Sequence, residues 1–260
     1  MPDNHRAPSF PDLLASTARE KHAAALARSS PPPHATEPPR QVYMAALDRI
    51  AQALAPHGFR FAKSGPYLTR TDGPARYRIF FQSDRNNIAG EHVQFWIHAG
   101  VENSEAERWL AQSDWPFQAR PQIGGGQIGN LVKPHGWWSW EIADPATRGE
   151  RIDDAIRQIE TIILPFFARL SDPRSLAEEA THVEIPGVED EAAVRLCYWQ
   201  LGKAGAEQCL AFWVKRFGRH QDFRAARDHF LGGGGFEDIM GDFVKRLGTI
   251  AGALRIGLDL

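Results

Sequence analysis

An α+β fold is predicted, with an antiparallel sheet packed against two or more helices, a helical arm before it and a helical extension after it. Three features predict it. The run from His92 to Glu102 alternates, with Val93, Phe95, Ile97, Ala99 and Val101 on one face and His92, Gln94, Trp96, His98 and Gly100 on the other. Upstream, Ser64-Gly65-Pro66 and Asp72-Gly73-Pro74 punctuate strand-like runs at Arg60–Lys63, Tyr67–Thr71 and Arg76–Ser83, as in a meander of hairpins. Apolar residues at helical spacing lie on both sides of these runs.

The elements follow in order. Asp12 to Arg28 is alanine-rich and helix-favouring but has a thin apolar stripe, and the prolines of 31–39 make a stiff spacer after it. Residues 1–40 are therefore read as a separable arm. Tyr43, Ala46, Leu47, Ile50, Ala53 and Leu54 form a helical stripe that stops at Pro56-His57-Gly58. After the strands comes a glycine-rich stretch and the segment Trp137 to Ile142. Asp144-Pro145 then supplies an N-cap and first-turn proline for a helix with the stripe Ile152, Ile156, Ile159, Ile163, Phe166, Phe167 and Leu170. Residues 41–184 are assigned to the α+β domain. In residues 185–260, glycines at 202 and 218 follow two apolar stripes, which predicts a helix hairpin with a short glycine turn, and two more helices flank Gly232–Gly235.

Composition excludes several classes. The chain has 260 residues, enough for one sizeable core, with 30 basic against 32 acidic side chains and a net charge of −2. No global field collects phosphates, so nucleic acid is an unexpected partner. The basic cluster Lys215, Arg216, Arg219, Arg224 and Arg227 is the local exception. No window is long and apolar enough to span a bilayer, and the N-terminus carries charges where a signal peptide needs an unbroken apolar run. The expected location is the cytoplasm. Cys197 and Cys209 fit no zinc spacing and are read as buried thiols.

Seven short features occur together in order. A helix ends in Leu54-Ala-Pro-His-Gly-Phe59, then Lys63-Ser-Gly-Pro-Tyr-Leu-Thr-Arg70 follows, and Phe81-Gln82-Ser83 closes a strand. The next strand runs from Phe95 to Gly100-Val101; beyond it lie an isolated Arg120, the pair Trp137-Trp138 and a helix ending in Leu170-Ser-Asp. Residues 41–184 resemble in this the bacterial family called domain of unknown function 4304. The resemblance implies an α+β fold and supplies no established reaction.

Gly124-Gly125-Gly126-Gln-Ile-Gly129 satisfies G-x-G-x-x-G, but Pro134 and Gly136 follow too soon for the helix a dinucleotide needs. His92 and His98 share a strand face about 20 Å apart, too far to chelate one ion. No metal and no cofactor is expected. The aromatic residues are in excess on the strands, and alternation must turn some of them away from the helices. Arg70, Gln82, Trp96, His98, Arg120 and Trp138 are the predicted binding residues, because such side chains combine apolar area with a polar handle. The expected function is a protein-binding module of the bacterial cytoplasm, such as an immunity protein neutralising a toxin. The alternatives are a hydrolase using His98, Arg120 and Glu141, and a nucleic-acid binder using the basic cluster.

Overall fold

A computed structural model describes residues 37–62, 65–113, 115, 119–235 and 242–258. Most of the predicted N-terminal arm lies outside the described residues.

Helix α1 (Pro39–Leu54) starts on a first-turn proline, inside the expected spacer, and buries Val42, Tyr43, Ala46, Leu47, Ile50 and Leu54. A single 3₁₀ turn, Ala55–His57, and Gly58 in the left-handed region (φ 81°) end it. Strands β1 (Arg60–Ala62), β2 (Tyr67–Asp72), β3 (Ala75–Ser83) and β4 (Gln94–Asn103) then form an antiparallel meander. Asn103 caps helix α2 (Ser104–Gln112), accepting from the amides of Glu105 and Ala106. Strand β5 (Gln122–Gln127) returns along β4, and the two-residue β6 (Trp140–Glu141) pairs with β4 beyond it.

Helix α3 (Pro145–Gln158) is capped by Asp144 and passes through a π-helical turn, Ile159–Ile163, into α4 (Leu164–Arg169). Asp172 both ends this run and caps α5 (Pro173–Ala180). The stretch α6 (Asp190–Phe217) is broken at Gly202, whose backbone (φ 70°, ψ −163°) reverses the chain. The arms meet closely: a Cβ on Gly205 would lie 3.1 Å from the carbonyl oxygen of Cys197. This is the predicted hairpin. Both cysteines are buried free thiols between its arms, and the Cys197 thiol donates to the Ala177 carbonyl at 3.3 Å. Helices α7 (His220–Leu231) and α8 (Phe243–Ala253) pack on each other, α8 also on α6.

The predicted α+β class holds. One continuous core runs from Val42 to Ile256, so the C-terminal helices share it with the sheet. Helices α2 and α5 and strand β5 went unforeseen. Helix α2 follows β4 directly, α5 follows α4 after a short turn at Asp172, and β5 is cut from the glycine-rich stretch, where three consecutive glycines erase the side-chain alternation that marks a strand.

Candidate functional site

Alternation divides the sheet into two chemically different faces. On the inner face Tyr77, Ile79, Phe81, Phe95, Ile97 and Val101 are at most 1% exposed. Phe95 lies against Tyr43, Phe81 and Trp140, and Tyr77 against Phe167. The Tyr43 hydroxyl donates to the Phe81 carbonyl at 2.8 Å, which ties α1 to β3.

The outer face carries Phe80 and Gln82 from β3, directly opposite His98 and Trp96 of β4. His98 sits between two aromatic rings, 6.0 Å from Phe80 and 6.1 Å edge-on to Trp137. Trp137 is 62% exposed and Phe80 42%. Burial holds the His98 imidazole below its ordinary pKa, so the ring is neutral at neutral pH. Its Nε2 is shut off from solvent without a hydrogen-bond partner among the described residues. Towards one end, Arg76 and Arg78 both reach Glu102, at 3.5 and 3.4 Å, two guanidinium groups sharing one carboxylate.

Glycines and one glutamine position the tryptophan segment. A Cβ on Gly129 would fall 2.3 Å from the Gly136 carbonyl and one on Gly136 2.7 Å from the Trp138 indole nitrogen, so only glycines let this loop lie flat under Trp138. Buried Gln127, opposite His98 in the register, accepts from the Gly129 amide at 2.7 Å and donates to the Trp138 carbonyl at 2.5 Å. Gly124, Gly125 and Gly126 lie in a strand and Gly129 in a 3₁₀ turn, not at the start of a helix as a dinucleotide loop requires.

No family model, curated protein or solved structure matched the chain. The assignment of the site accordingly rests on its own geometry.

Four of the six predicted binding residues gather here. Gln82, Trp96 and His98 share the outer face, and Trp138 abuts it through Gln127. Arg70 does not. It pairs with Tyr77 in the register and so belongs to the inner parity. Its guanidinium lies 4.6 Å from the Tyr77 ring centre and 5.2 Å from that of Phe59, closing the rim of the core. Arg120 does not either: it precedes Gln122, which pairs with Glu102, four residues of strand or about 13 Å beyond His98.

The trio of the hydrolase reading is likewise not assembled. Glu141 sits opposite Gln94, at the other end of β4 from Arg120. One Glu141 oxygen accepts from the amides of Val93 and Ala143, and the other meets His92 Nδ1 at 2.5 Å. His92 Nε2 faces Asp84 at 3.3 Å, so this histidine links the β3–β4 loop to β6. Among the described residues no group of three or more His, Cys, Asp or Glu side chains is placed to hold a metal ion.

The basic cluster is largely engaged. Arg216 pairs with Glu184, Arg219 with Asp222 and Asp242, and Arg227 with Asp228. Among the described residues no helix is long and apolar enough to cross a membrane. Sequence reasoning missed two parts of the site. Trp137, not Trp138, is the exposed anchor, and Gln127 holds the segment in place; the tryptophan pair marked the region, but nothing in the sequence tells which ring faces outward.

Proposed function

We propose that this chain is a protein-binding module whose recognition surface is the outer face of the sheet around His98. The observation that carries the reading is the pair of exposed aromatic anchors, Trp137 and Phe80, beside a neutral, part-buried histidine. Exposed tryptophan becomes a strong contact when a partner desolvates it, and the Phe80 ring widens the apolar area that a partner can cover. The exposed area around His98 is dominated by aromatic rings, so the face suits apolar side chains better than a phosphate backbone. Within this class the proposed role is that of an immunity protein that neutralises a toxin in the bacterial cytoplasm.

The test is binding to the purified product of the adjacent gene. Trp137→Ala and Phe80→Ala are expected to weaken association about tenfold or more each, while changing folding stability by no more than about 0.5 kcal/mol. Undiminished affinity in both variants would remove the outer face as the recognition surface.

A further inference from the structure

Arg120, excluded from the sheet face, belongs to a second concavity. Between the start of β5 and the first arm of α6 lies a cavity of about 240 Å³, lined by Arg120, Gly124, Gly125, Glu189, Glu191 and Arg195. Beside it Trp109 of α2 and Trp199 of α6 pack on each other with ring centres 6.5 Å apart and leave a hollow of only about 10 Å³, so the larger cavity is the one with room for a ligand.

The charges lining that cavity are unevenly matched. The Arg195 side chain is only 13% exposed, yet its nearest carboxylate oxygen, on Glu191, is 3.8 Å away, beyond hydrogen-bond reach. One of its five N–H groups donates to the Gln122 carbonyl at 2.8 Å. Desolvation holds its pKa below the ordinary arginine value despite Glu191 and Glu189 nearby, the mark of a buried cation that is under-compensated. Glu191 is shared, since its other oxygen faces Arg246 at 3.7 Å. Arg120 stands exposed at the rim with no ion pair among the described residues, and Glu189 is exposed at the same rim.

We propose that this cavity binds a small monocarboxylate with an aromatic or aliphatic body, its carboxylate between Arg120 and Arg195 and its body along Ile123, Gly124, Gly125 and Ala192. A planar carboxylate matches the guanidinium fork and completes the donors of Arg195. Glu189 and Glu191 in the same wall disfavour a phosphate dianion. The volume lies below the roughly 300–1,000 Å³ of sites for drug-sized ligands, which restricts the occupant to a small molecule.

Calorimetric titration of the full chain with phenylacetate, 2-phenylethanol and inorganic phosphate tests this. Phenylacetate is expected to bind saturably with a dissociation constant on the order of 1 mM or below, and the neutral alcohol and phosphate at least about tenfold more weakly. Arg120→Gln, at an exposed position that leaves the fold intact, should weaken phenylacetate about tenfold, and Arg195→Gln at least as much. Trp137→Ala should leave it unchanged, so this site and the sheet face succeed or fail separately. Absence of saturable phenylacetate binding, equal binding of the alcohol or phosphate, or indifference to Arg120→Gln would overturn the proposal.

Discussion

Phe80 and Phe81 are adjacent, identical in chemistry and opposite in fate: Phe81 is fully buried under the helices and Phe80 is 42% exposed. The same contrast separates Phe95 and Ile97 from Trp96 and His98 one position along β4. Parity in the strand, not residue type, decides which side chain joins the core. Large aromatic groups at the inner parity follow from packing against α1 and α4. At the outer parity packing on those helices demands none of them, so Phe80 and Trp96 there, with Trp137 beside His98, call for another explanation, and recognition of a partner supplies one.

The inner face should carry the largest energetic effect. Phe95→Ala removes a fully buried ring in contact with Tyr43, Phe81 and Trp140, and should cost about 3–5 kcal/mol, read from the urea midpoint at constant slope. The contrast between the faces breaks if Trp137→Ala destabilises the chain to a similar degree.

Arg70 sharpens the boundary between the faces. Its stem and guanidinium cover Phe59 and Tyr77, and one N–H reaches the His57 carbonyl at 3.3 Å. Arg70→Ala should therefore cost about 1–2 kcal/mol of stability through lost packing and cation–π contact, with partner affinity unchanged. A loss of affinity without a loss of stability would return Arg70 to the recognition surface.

How much of this was legible depended on which physical signal each element carries. The meander was readable because Gly65-Pro66 and Gly73-Pro74 punctuate it and because β4 alternates along its whole length. The α6 hairpin was readable from Gly202 between two apolar stripes. Strand β5 was not, since Gly124, Gly125 and Gly126 present no side chains to alternate, and its place is set by pairing with β4 and by the contact of Gly124 with Leu170 and Val188. Within the site, parity placed Trp96, His98 and Gln82 correctly. Arg70, included for its side-chain type, shares the parity of Leu68 and so falls on the other face. Arg120 and Trp137 sit outside the strands, where no period fixes direction, so only tertiary geometry assigns Arg120 to the α6 cleft and Trp137 to the sheet face.

The smallest of these effects is a pH dependence, and it tests whether the outer face is as desolvated around His98 as the geometry implies. Burial between Phe80 and Trp137 lowers the folded-state pKa of His98 from its ordinary value of 6.5. The unfolded chain thus takes up the proton first as the solution is acidified. The stability that His98 contributes is fully present above about pH 6.5 and is lost as pH falls through the lower folded-state value. In His98→Gln, which cannot titrate, the difference in unfolding free energy between about pH 7.5 and about pH 5 should be smaller than in the parent chain. Partner association should weaken over the same acid window, because a partner that covers Trp137 and Phe80 buries the ring further and penalises its charged form more. An unchanged difference in His98→Gln would mean that the imidazole is hydrated, and with it that Phe80 and Trp137 do not enclose it.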